Sequence, residues 1–203
     1  MHSVELVLDD DIDRPIREEW NRLAAVGLPS RTRRRRGRNS IQGDGTEAAR
    51  RQRSLVVQSS PSQARHTGAS NRPHITLALA ATLDAADGTR LTAATAVLPM
   101  PITIGGLLVF GSRRYVLARL VVPSVALLEL QAAVVNSLAE PVDPHDTFCA
   151  GRWTPHVTLA RRLTAEQLAE AVAALGEVSA IAGMAARARR WDMSAKLESW
   201  IGG

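Results

Sequence analysis

The sequence predicts an α+β fold of two pseudo-symmetric lobes, with two antiparallel sheets facing a central cleft and helices outside. Two observations lead there. Short β-branched apolar runs alternate with stretches whose apolar residues recur at helical spacing. One hexapeptide also occurs twice, as Pro-His-Ile-Thr-Leu-Ala at 73–78 and Pro-His-Val-Thr-Leu-Ala at 155–160. A helix and then a pair of strands follow each copy, so the order of elements repeats along with the motif.

The elements follow in order. Residues 3–8, Ser-Val-Glu-Leu-Val-Leu, open with an alternation that reads as a strand. From 12 to 26, Ile16, Trp20 and Leu23 fall on one helical face, with acids before them and Gly27 after. Residues 31–64 break the pattern with Arg33 to Arg36 in a row and then a Gly-, Ser-, Gln- and Asn-rich stretch. So little apolar surface cannot offset the entropy of ordering it, so this segment reads as an inserted, disordered loop within a single domain spanning 1–203. The first motif strand runs over 73–80, and a weak helix follows over 85–97, interrupted by Gly88. Strands near 101–109 and 114–121 flank the turn-like Gly111-Ser112. Pro123 and Ser124 open a helix that reaches about Leu138. A loop rich in Pro, Asp and Gly spans 139–152, and the second motif strand spans 153–160. Thr164 caps a helix bearing Leu168, Val172 and Leu175 at i, i+4, i+7. Strands near 179–190 and 195–201 close the chain.

Composition narrows the function classes. The net charge of +5 is unevenly spread: residues 31–65 hold ten arginines against Asp44 and Glu47, a local net of +8, which leaves the rest at −3. The arginine segment reads as a tolerated insertion, or as an electrostatic arm for RNA. Lys196 is the only lysine, too isolated to serve as a nucleotidyl-carrying residue. No apolar run approaches the roughly 20 residues a membrane span needs. The N-terminus carries acid where a secretory signal carries base. Cys149 is the only cysteine, which excludes an intrachain disulfide framework and a multi-cysteine metal site. It reads as a small buried residue. The expectation is a cytoplasmic monomer without membrane contact, metal or cofactor.

The chemistry lies in the repeat. Side chains on a strand alternate faces, so His74 and Thr76 point one way, as do His156 and Thr158. Ile75, Leu77, Val157 and Leu159 point the other way, into packing. Two imidazoles can supply a base and an acid, since an ordinary pKa of about 6.5 lets both forms exist near neutrality. Two hydroxyls can donate to an anion between them. Opening a phosphodiester needs that set and no metal.

With its paired His74-Ile-Thr76-Leu and His156-Val-Thr158-Leu motifs, the chain resembles the 2H phosphoesterase superfamily, in particular its 2′-5′ RNA ligase-like branch. The resemblance implies a bilobal fold with the motifs lining a cleft, and His74, Thr76, His156 and Thr158 as catalytic residues. It implies metal-independent hydrolysis of 2′,3′-cyclic phosphate ends of RNA or of small cyclic nucleotides. In some members the reverse reaction joins RNA through a 2′-5′ bond. It also implies a phosphate contact from Arg161, which extends the second motif. The rival reading is a binding module that holds a nucleotide or RNA end in the same cleft without turnover.

Other residues weigh less. His66, in the polar loop before the first motif, could touch substrate but reads as solvated, and His145 reads as a turn residue. Phe148 and Trp153 could stack a base, with packing the favoured role. Trp20, Trp191 and Trp200 read as core or edge aromatics.

Overall fold

The structure, a computed structural model, describes residues 1–28, 71–142, 147–149 and 151–202. The expectations for segment 31–64, His66 and His145 lie outside the described residues. The elements run β1 (His2–Leu8), α1 (Asp10–Ala25), β2 (His74–Ala80), α2 (Ala85–Ala94), β3 (Met100–Phe110), β4 (Tyr115–Val121), α3 (Val125–Asn136), β5 (His156–Leu163), α4 (Ala165–Leu175), β6 (Ile181–Asp192) and β7 (Leu197–Ile201).

Local chemistry sets the helix starts. Asp9 caps α1 by accepting from the Ile12 amide at 3.2 Å, and Asp10, Asp11 and Asp13 sit at the positive end of the helix dipole. Ile12, Ile16, Trp20 and Leu23 then repeat every three or four residues and bury one face. Ser124 caps α3, and Asp84 with Asp87 and Thr164 with Gln167 form reciprocal capping boxes on α2 and α4. Strand β5 begins at His156, three residues later than the sequence suggests. Pro155 has no N–H for a ladder, and its carbonyl instead accepts from Val121 N at 2.9 Å.

The sheet topology corrects one expectation. Two separate facing sheets are not found; all seven strands join one antiparallel sheet in the order β1-β2-β5-β4-β3-β6-β7, with β1 also paired to β6. The reason is the length of β6. Its residues 181–185 pair with β3, 188–192 pair with β7, and 185–192 pair with β1. One strand thus serves both halves of the duplicated pattern. The two motif strands, β2 and β5, touch through a single pair, Ile75↔Val157. That thin contact closes the hydrogen-bonded circuit.

The core forms one cluster between the sheet and the helices, including Trp20, Ile75, Leu77, Val157 and Leu159. Trp20 is core, as expected, and Trp200 is exposed on β7 at the edge. Cys149 is exposed rather than buried. It precedes β5 in a turn closed by Arg152 N donating to Cys149 O at 3.0 Å, outside the sheet that would have covered it. Among the described residues, no helix is long and apolar enough to cross a membrane.

Candidate active site

The single β2–β5 pair sits at the centre of both hexapeptides. Ile75 and Val157 lie opposite one another, so their side chains share a face, and both are buried in the core. The residues on either side of each must point to the other face. The register therefore brings His74, Thr76, His156 and Thr158 to one face around one bridge. Thr158 is buried; His74, Thr76 and His156 are partly exposed.

Both histidines are held in the same way. His74 Nδ1 lies 2.8 Å from the carbonyl of Arg72, and His156 Nδ1 lies 2.8 Å from the carbonyl of Thr154. A carbonyl only accepts, so each Nδ1 carries the hydrogen and each Nε2 is the nitrogen that exchanges a proton. The proline in each hexapeptide contributes to this. It biases the residue before it, Arg72 or Thr154, toward extended backbone, and that residue supplies the carbonyl.

Both motif threonines are anchored through their backbones as well. Trp153 Nε1 donates to Thr76 O at 3.2 Å, and Trp20 Nε1 donates to Thr158 O at 3.2 Å. The two strands share only one pair, and these indoles supply donors along the seam where the ladder is thin. Trp153 is buried and Phe148 packs against the core, as the sequence reading favoured.

The surroundings of the two histidines differ. On β1, Glu5 lies opposite Thr76; at the corresponding place on β4, Ala118 lies opposite Thr158. Glu5 is 4% exposed. Its Oε1 accepts from Ser3 Oγ at 2.7 Å, and its Oε2 accepts from Arg189 Nε and Nη2 at 2.9 and 2.8 Å. Oε1 also stands 3.6 Å from His74 Nε2, too far for a hydrogen bond but close enough for strong charge coupling. Burial alone would raise the Glu5 pKa. The His74 and Arg189 charges and the Ser3 and Arg189 hydrogen bonds outweigh it, and the carboxyl is held below its ordinary value. His156 instead packs against Phe110, with ring centroids 4.7 Å apart and planes at 56°.

Arg161, on β5, reaches back to Thr158 Oγ1 at 3.5 Å, the long limit of a hydrogen bond. The residue as a whole is exposed. Burial of its guanidinium is nonetheless the larger influence and lowers its pKa, while Glu5 opposes the fall. A guanidinium stays cationic under either influence. All five residues singled out from the sequence therefore belong to one neighbourhood. Glu5, Arg189 and the Trp20 indole join them without having been singled out as site residues, and Trp153, weighed for base stacking, joins them as a backbone donor. The Ser3/Glu5 alternation was the one available signal, because it places a carboxylate on the inner face of a strand. Among the described residues, no cluster of three or more His, Cys, Asp or Glu side chains could hold a metal ion.

A family model described as the 2'-5' RNA ligase superfamily matches residues 41–193, from within the arginine-rich segment to the end of β6. A comparison with curated proteins returned no match. The family match covers most of the chain and includes both His-x-Thr strands; the chain belongs to the 2'-5' RNA ligase superfamily, among the 2H phosphoesterases.

Proposed function

We propose that the protein is a metal-independent phosphoesterase that opens 2′,3′-cyclic phosphates at RNA ends or on small nucleotides. The observation that supports this most directly is the duplicated His-x-Thr pair on one face, each imidazole held through Nδ1 to the carbonyl two residues before it. In the forward direction, Nε2 of one neutral imidazole takes a proton from water as its oxygen bonds to phosphorus. Nε2–H of the other, as imidazolium, donates to the ribose oxygen as the ring P–O bond breaks. The product is a phosphate monoester, and the histidines exchange protonation states. Thr76 and Thr158 hydroxyls donate to the non-bridging oxygens, and the Arg161 guanidinium balances their charge. In the same direction, with a ribose 5′-hydroxyl in place of water and the ring P–O3′ bond breaking, the steps join RNA through a 2′-5′ linkage.

The test is incubation of the purified protein with a 2′,3′-cyclic nucleotide in EDTA. Release of a monophosphate, with a bell-shaped pH profile, is the expected result. His74→Ala and His156→Ala should each lower the rate by about 10²-fold or more. Binding of the nucleotide without release would assign the site to recognition alone. Full turnover by the double alanine variant would place the chemistry elsewhere.

A further inference from the structure

The sheet carries the site face well beyond the histidines. Thr76 lies opposite Glu5, Glu5 opposite Arg189, and Arg189 opposite Trp200. Residues directly opposite share a face, so Trp200 stands on the same face as the His-x-Thr motifs. Three strand spacings separate it from the first motif, about 14 Å. A neighbouring row runs His74–Val7–Arg187, which sets Arg187 on that face too, between the histidine and the tryptophan.

Trp200 is 44% exposed. A lone exposed aromatic carries little information, but this one is flanked by cations. The guanidinium carbons of Arg187 and Arg72 lie 5.5 and 5.8 Å from its ring centroid. The charges around it are unequally matched. Arg189 is neutralised by Glu5 and Glu198, and Arg72 reaches Glu198 at 4.0 Å. Arg187 is exposed and has no carboxylate partner among the described residues. An accessible indole beside an uncompensated guanidinium, in line with a phosphate-handling site, matches the chemistry of single-stranded nucleic acid. The ring stacks a base, and the cation meets the backbone phosphate next to it.

We infer that Trp200 and Arg187 form a subsite for a nucleotide upstream of the reacting phosphate, and that the preferred substrate is a short RNA oligonucleotide rather than a mononucleotide. This rests on the phosphoesterase reading of the His-x-Thr site and extends it. A cyclic mononucleotide bound at the histidines does not span the sheet to β7; a strand of a few nucleotides does.

The experiment compares a 2′,3′-cyclic mononucleotide with a five-nucleotide RNA ending in a 2′,3′-cyclic phosphate, for wild type, Trp200→Ala, Trp200→Phe and Arg187→Gln. Wild type should show the higher kcat/KM on the oligonucleotide. Trp200→Ala should raise KM for the oligonucleotide about tenfold with kcat little changed, and leave mononucleotide kinetics within about twofold. Trp200→Phe should restore most of the loss, and Arg187→Gln should lower the salt dependence of oligonucleotide binding by about one phosphate contact. Equal losses on both substrates, or no wild-type preference for the oligonucleotide, would overturn the inference. A parallel arm measures anisotropy of a labelled five-nucleotide RNA bearing a 3′-phosphate, which reads the subsite even if neither substrate turns over. Equal binding by wild type and Trp200→Ala would overturn the inference there and leave the patch to a protein partner. Absence of turnover with Trp200-dependent binding would fault the catalytic reading alone.

Discussion

Behind the site, Arg119 on β4 lies opposite Val157 of the second motif strand and is 1% exposed. Its guanidinium donates to Gly105 O at 2.7 Å, to Ser179 O at 2.6 Å and to the Glu19 carboxylate on α1. Glu19 is 3% exposed, and its Oε2 has no hydrogen-bond partner. The residue after Glu19 is Trp20, whose indole holds Thr158 O. The ion pair therefore fixes α1 against the strand that carries half of the site. Arg119→Met removes the counter-charge and keeps most of the volume. An uncompensated buried carboxylate costs about 3–5 kcal/mol. Burial already pushes the Glu19 carboxyl above its ordinary value, against the pull of Arg119 and Arg22. Loss of Arg119 raises it further. A carboxyl whose folded pKa exceeds its unfolded one stabilises the protein below the unfolded value, and that contribution is lost as pH rises through the folded value. The penalty should therefore be full at pH 8 and shrink toward pH 5, at up to about 1.4 kcal/mol per pH unit where Glu19 titrates. Urea unfolding of wild type and variant at both pH values measures it. The Glu19→Leu, Arg119→Met double variant should recover much of the loss, leaving mainly the Gly105 and Ser179 carbonyls short of a donor, at about 1–3 kcal/mol each. An Arg119→Met cost below about 1 kcal/mol at pH 8, or one that does not shrink on acidification, would refute the account of a dry, mutually dependent pair.

Three further outcomes follow from the geometry. Because the Glu5 carboxyl is held below its ordinary value, its contribution is present above the unfolded pKa near 4.5 and lost as pH falls through the folded value. The stability gap between wild type and Glu5→Gln should accordingly close on acidification below about pH 4 in thermal scans. Trp153→Phe keeps the ring and removes the donor to Thr76 O, so it should cost about 1 kcal/mol in urea unfolding and lower turnover by loosening the first motif strand. A Cβ at Gly183 would stand 2.7 Å from both Asp9 Oδ1 and Ile12 Cγ1, where Asp9 caps α1 and its Oδ2 accepts from Met184 N. Gly183→Ala should therefore destabilise the fold by about 1–3 kcal/mol, read as a fall in Tm.

The sequence by itself determined the local half of this protein. Strand alternation decided that His74 and Thr76 share a side and that Ile75 and Leu77 take the other, and the same holds for the second copy. The Asp, Ser and Thr caps set the helix starts through bonds spanning three residues. These effects act within one turn or one pleat, so the residues in a short window carry them. What joined the two motifs was decided only in three dimensions. The Ile75↔Val157 bridge spans more than eighty residues, and nothing near either copy announces that they pair. The single closed sheet depends on β6 reaching three partners, a matter of strand length and twist rather than of any residue pattern. Glu5 became part of the site because Arg189, 184 residues away, folds onto it and makes its burial tolerable. Trp20 and Trp153 read as packing residues and do pack, yet their N–H groups also needed acceptors, and the seam between the motif strands supplied them. A buried polar group takes whatever partner the tertiary fold brings within 3 Å or so, and that choice is not written beside it in the chain.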